Sequence, residues 1–246
     1  MARTLIPLWQ HWQFADSFEE QYLQRDCDET HFTEIQLPHT VKELPYHYFD
    51  EKIYQFHSCY RKKFAVSPQL QDMRLFIDFD GVMCYAKVFV NGQFAGEHKG
   101  GYVPFSVEIT QYVDYGEEET NVLAVYVDST ERADIPPFGG MVDYLCYGGI
   151  YRDVTLRAVP HCHIESVYAR PVSVLTAEKS LQVDIAIAHS DRMNKPINIL
   201  IALFDSRNKK RAELHKSLVV SVPSLTLSML MDELTGLKLW TLEKPE

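Results

Sequence analysis

The chain has 246 residues, 46% of them hydrophobic and only 11 Gly and 12 Pro, a composition that excludes disorder and low complexity and allows two ordinary domains with real cores. Its 34 acidic against 24 basic residues give a formal charge of −10, which repels phosphate backbones and anionic lipid, so neither a nucleic-acid nor a membrane partner is expected. A neutral polar ligand such as a sugar is not disfavoured.

In residues 1–11 the apolar run is broken by Pro7, Gln10 and His11, so no signal-peptide core is expected. No stretch approaches the roughly 20 apolar residues of a spanning helix. Trp9, Trp12 and Phe14 read as packing onto a sandwich, although exposed aromatics also make sugar platforms. Over 16–24, Phe18, Tyr22 and Leu23 share one helical face for a short distance. The cysteines, Cys27, Cys59, Cys84, Cys146 and Cys162, are odd in number and contain no Cys-x-x-Cys pair. Reduced thiols in a cytoplasmic protein fit that pattern better than a disulfide framework.

Alternation dominates from residue 74. The stretches 74–79, 85–90, 122–127 and 150–156 are short, rich in β-branched and aromatic residues and bounded by turn residues, which makes them strands. Asn91-Gly92 tolerates positive φ and predicts a type I′ hairpin between its flanking strands. Asp78 and Asp80 share a strand face, which alternation explains without catalysis. The pattern changes around 157–164, and a boundary after Pro160 gives two domains, 1–160 and 161–246. The second alternates at 181–187 and 197–203, with a polar hairpin at 205–211 whose Lys209-Lys210-Arg211 run reads as a solvated turn. His161-Cys162-His163 lacks a second ligand pair at a familiar spacing, so no metal is expected, nor any cofactor. The fold class is therefore all-β: a β-sandwich or jelly roll followed by an immunoglobulin-like β-sandwich. The last residues, 239–246, read as a loop leading to another strand, so the second sandwich is expected to be incomplete.

Several segments carry a resemblance. Residues 79–105 run through Phe79-Asp80-Gly81, Asn91-Gly92 and Gly100-Gly101-Tyr102-Val103-Pro104-Phe105, and Tyr147-Gly148-Gly149-Ile150-Tyr151-Arg152 follows. Leu37-Pro38-His39-Thr40 and Tyr60-Arg61-Lys62-Lys63-Phe64 are weaker echoes. In this order they resemble the sugar-binding domain of family 2 glycoside hydrolases, the β-galactosidase and β-glucuronidase family. The resemblance implies that the first domain is a jelly-roll, galactose-binding-domain-like β-sandwich, and that an immunoglobulin-like domain and a catalytic (β/α)8 barrel follow it. Nothing in 1–246 looks like the family's barrel segments, and retaining glycosidases need two carboxyl groups about 5 to 5.5 Å apart. No catalytic residue is therefore expected here.

What the resemblance implies is the non-catalytic N-terminal portion of a retaining exo-glycosidase. Its parent would remove terminal β-galactose first, β-glucuronic acid next. The partners implied are a carbohydrate substrate, the barrel of the same parent chain and further copies in a homo-oligomer. In the family a carboxylate shortly before the Gly-Gly-Ile-Tyr-Arg motif contacts substrate hydroxyls. The matching residue is Asp143, and Tyr144 beside it is a candidate for stacking on the sugar ring. The alternative is a stand-alone carbohydrate-binding module without hydrolase activity.

Overall fold

Alternating side chains become strands along most of the chain. The computed structural model describes residues 3–47, 50–139, 144–189 and 196–243, which fall into two units, Met1–Pro160 and His161–Glu246. The first unit contains β1 (Thr4–Pro7), β2 (Trp12–Ala15), β3 (Thr33–Ile35), β4 (His57–Val66), β5 (Arg74–Phe79), β6 (Tyr85–Val90), β7 (Gln93–Lys99), β8 (Phe105–Glu108), β9 (Gly116–Asp128) and β10 (Val154–Val159). The second contains β11 (Cys162–Val172), β12 (Lys179–His189), β13 (Pro196–Phe204), β14 (Lys210–Val219) and β15 (Ser224–Leu234).

The first unit is a jelly-roll sandwich of two antiparallel sheets, ordered β1-β10-β5-β8 and β3-β2-β4-β9-β6-β7. Strand β5 shows why they close. Its period of two sends Leu75, Ile77 and Phe79 inward, where they are fully buried, and leaves the polar residues outside. They meet Val88, Val90, Leu123 and Val125 of the other sheet in one core. The hairpin between β6 and β7 turns on Asn91 at φ 53° and Gly92 at φ 79°, the two positive values a type I′ turn requires. Asn91 also binds its surroundings, donating to the Tyr112 carbonyl at 2.8 Å and accepting from the Val122 amide at 2.9 Å.

Two sequence expectations shift. The helical face over 16–24 shrinks to one 3-10 turn, Glu20–Leu23, which buries Tyr22 and Leu23. The strand expected over 150–156 begins only at Val154, because the backbone just before it is engaged in hydrogen bonds to segments remote in sequence, described below. Trp12 is fully buried with its indole NH on the Leu8 carbonyl at 2.6 Å, and Phe14 packs between His39 and Tyr60. The aromatic cluster near the start is thus mostly core, with Trp9 left half exposed.

The second unit is a smaller β-sandwich, with sheets β11-β12-β15 and β13-β14. Val183, Ile185 and Ile187 meet Ile199 and Met229 in its core. The 205–211 hairpin is polar as expected: Asp205 accepts from the Lys209 and Arg207 amides and pairs with Arg211 at 2.7 Å. No α-helix occurs among the described residues.

Candidate functional site

The segments singled out in the sequence meet at one place. Met83 and Gly149 form an isolated antiparallel bridge, each amide donating to the other's carbonyl at 3.0 and 3.1 Å. Next to it the His39 amide donates to Ile150, the Val41 amide to Gly148 and the Asp80 amide to Asp153. Tyr151 donates its hydroxyl to the Gly101 carbonyl. Segments near residues 39, 81 and 149 are therefore stitched together by main chain, with Tyr60 and Gly101 joined through tyrosine hydroxyls, and the glycines are what let them approach. A Cβ on Gly101 would collide with Met83, and one on Gly148 with Ser129. Gly149 has both reasons at once, a φ of 112° and no room for a Cβ.

This knot lies beside a shallow, open hollow at the β9–β10 connection. Tyr144 stands on its rim, 52% exposed, and Tyr102 meets it edge to face with ring centroids 6.4 Å apart. Phe138 and Tyr147 are also exposed nearby in the chain. Exposed tyrosines beside a mostly apolar hollow are suited to the apolar face of a sugar ring. Asp143, the other residue expected to touch substrate, lies outside the described residues, as do 244–246 at the chain end.

Arg132 organises the floor of the hollow. It pairs with Asp128 at 3.1 Å and Asp134 at 3.0 Å, and lies over the Tyr85 ring at 4.9 Å. Burial alone would raise the Asp128 carboxyl. Hydrogen bonds from Thr130 and Arg132 outweigh it and hold the group below its usual range. Hydrogen bonds from Arg132 and from Lys99, at 2.6 Å, hold Asp134 well below that range. Burial, helped by the Glu97 carboxylate accepting its hydroxyl at 2.5 Å, pushes Tyr85 up to about 12. These acids are ionised, paired and spoken for, which makes them supports rather than proton donors.

The other constellations are structural. Asp78 pairs with Arg157 at 2.6 Å and accepts from Ser106, joining β5, β10 and β8. His98 stacks on Phe105 at 4.3 Å, which in turn stacks on Phe79, so the His98-Lys99-Gly100-Gly101 run is a packed connector. No cluster of three or more His, Cys, Asp or Glu able to hold a metal occurs among the described residues. Sequence reasoning missed Tyr102 and Arg132. Tyr102 was legible only as part of a motif, and Arg132 sits in a connection with no periodicity to place it.

Comparison with known proteins gives concordant results. Residues 13–160 match the family described as glycosyl hydrolases family 2, sugar binding domain. The chain is 38% identical over 243 residues to a β-galactosidase of Thermoanaerobacterium thermosulfurigenes, covering 99% of this chain and 34% of that protein. It is 45% identical over 168 residues to a β-galactosidase of Thermoanaerobacter pseudethanolicus, covering 68% of this chain and 22% of the relative. Among solved structures, a calcium-binding mutant of Bacteroides uniformis β-glucuronidase 2 superposes with a TM-score of 0.83 at 25% identity, over 99% of this chain and 29% of that one. The chain thus spans about a third or less of the length of these relatives.

Proposed function

The chain belongs to glycoside hydrolase family 2, whose sugar-binding domain it carries, and from that premise we propose that it is the non-catalytic N-terminal portion of a retaining exo-glycosidase acting on terminal β-galactosides. The observation that carries this reading is the identity to a β-galactosidase along nearly the whole chain. Likeness to β-glucuronidases makes terminal β-glucuronides the second candidate. The two catalytic carboxylates would come from a barrel elsewhere in the parent.

In this reading the first unit builds one wall of the substrate pocket. Tyr144, held against Tyr102 on the rim of the hollow, offers a ring face to the sugar. Asp143 offers a carboxylate able to accept hydrogen bonds from two neighbouring hydroxyls, and such charge-assisted bonds are the stronger kind. The free thiols, Cys27, Cys59, Cys84, Cys146 and Cys162, support a cytoplasmic setting.

The test is hydrolysis of nitrophenyl β-galactoside, β-glucuronide and β-mannoside by the full-length parent and its Asp143→Ala and Tyr144→Ala variants. The parent is expected to cleave the galactoside best. Asp143→Ala is expected to lower kcat/KM by about 2 kcal/mol of transition-state stabilisation or more, and Tyr144→Ala by about 1. A parent inactive on all three, or variants equal to it, refutes the enzyme reading or the residue roles respectively.

A further inference from the structure

Two thiols distant in sequence share the hollow. Cys84 directly follows Met83, the residue bridged to Gly149, and Cys146 lies three residues before Gly149 on the other side of that bridge. Both line the hollow, and Cys146 packs against the cluster that contains Met83 and Cys84. Each is oriented by a hydrogen bond. Cys84 Sγ donates to the Thr130 carbonyl at 3.2 Å, while Tyr102 Oη donates to Cys146 Sγ at 3.4 Å. Both are free.

Their environments differ in a way that fixes the order of events. Cys84 is buried, and burial first, then the Asp128 charge, pushes its thiol up to about 12, so it stays protonated and slow. Cys146 is only half-buried and opens on the hollow, so a small oxidant reaches it first. Cys27 and Cys59 also neighbour each other, but Cys59 is fully enclosed beside Ala15 and Tyr22. Burial pushes its thiol up to about 12 as well.

We propose that Cys84 and Cys146 form a peroxide-responsive thiol pair that closes to a disulfide in the hollow, tying the segment before Gly149 to the start of β6. In the first step the Cys146 sulfur attacks hydrogen peroxide. An S–O bond forms, the O–O bond breaks, and water leaves with the thiol proton, giving the sulfenic acid. In the second, Cys84 Sγ attacks the Cys146 sulfur. The S–S bond forms, the S–O bond breaks, and the hydroxyl departs as a second water with the Cys84 proton. The Met83–Gly149 bridge joins the two segments that carry these cysteines, and closing the bond requires their Cα atoms to come within about 7 Å of each other. The proposal stands on these thiols and is independent of any sugar contact by Tyr144.

The test is mass mapping of the reduced 246-residue chain after treatment with hydrogen peroxide, with and without dimedone to trap sulfenic acid. The expected product is a pair of peptides joining Cys84 to Cys146, lighter than the free peptides by two hydrogens and separated again by dithiothreitol. Cys84→Ser should abolish the link and return Cys146 as its dimedone adduct, whereas Cys27→Ser should leave the link intact. A wild-type chain whose Cys146 is recovered unmodified, only as the adduct, or joined to a different cysteine overturns the proposal.

Discussion

Gly149 lies against Tyr60: a Cβ built on the glycine would stand 2.6 Å from the phenolic oxygen and 2.8 Å from the His39 carbonyl. Tyr60 is fully buried and its hydroxyl pairs with His39 Nδ1 at 2.9 Å, so neither neighbour can move aside cheaply. Gly149→Ala would add a steric clash to an unfavourable φ. The expected loss is about 3 kcal/mol of stability or more, read as a lower urea midpoint. An unchanged midpoint would show that the segments are not packed this closely.

Two half-buried histidines give the first unit an acid limit. Burial lowers the pKa of both His39 and His98, so each is held neutral in the folded chain. A histidine with a depressed folded pKa binds its proton more readily when unfolded. Stability is therefore full above the ordinary value of about 6.5 and falls as the pH drops from there through the folded value. Asp78, Asp128 and Asp134, all lowered, add a second loss below the ordinary carboxylate range of about 4. Melting temperatures should accordingly fall between pH 7.5 and 5, above the range in which those three carboxylates contribute. His98→Phe, which keeps the stack on Phe105, should flatten part of that first slope. Melting that is level from pH 7.5 to 5 contradicts this account.

The Asp78–Arg157 pair links three strands of one sheet, with contacts of 2.6 and 2.9 Å between the two side chains and the Ser106 hydroxyl on the same carboxylate. Arg157 also lies over the Phe76 ring at 4.5 Å. Asp78→Asn keeps the shape and removes the charge. It should destabilise the chain by about 1–2 kcal/mol, with a double-mutant cycle against Arg157→Met returning a coupling of about 1 kcal/mol. A cycle that closes at zero would make the pair ornamental.

The sandwich was legible because its strands alternate. Residues 74–79 and 85–90 were read with the bounds the structure gives, and Asn91-Gly92 declared its turn, since positive φ at both positions leaves little choice of residue. The late start of β10 was not legible. Ile150 and Tyr151 have strand composition, but their neighbours are claimed by His39, Val41 and Met83, partners remote in sequence that no local pattern reveals. The same holds for the hollow. Tyr144 could be named from a motif, whereas its pairing with Tyr102 and the Arg132 hub arise only when the β9–β10 connection folds back on the sheet.

Arg61 shows how a charge can be required inside a sandwich. It is 1% exposed on β4, yet its side chain turns to the irregular segment before β3. There Nε pairs with Glu29 at 3.1 Å, and Nη1 donates to the Tyr22 carbonyl and to that of Gln24 at 3.0 Å. The guanidinium thus serves the Tyr22 carbonyl and shares that of Gln24 with the Cys27 amide, and packs toward the Phe32 ring at 5.9 Å. Arg61→Met keeps most of the apolar stem but takes the guanidinium donors from both carbonyls and the partner from Glu29. The expected loss is about 3 kcal/mol, since removing one member of a buried charged network exposes the desolvation of the rest. Limited proteolysis should locate it: cleavage in 19–32 should quicken well before the chain unfolds as a whole, because Arg61 adds the polar ties that hold this segment over the cluster Tyr22 and Phe32 form with Ala15 and Cys59. Lys63→Met, which removes only the exposed partner of Glu29 at 2.9 Å, should leave both readouts close to wild type. Equal effects from the two variants would mean that charge near Glu29, and not the buried fork of Arg61, is what anchors the segment.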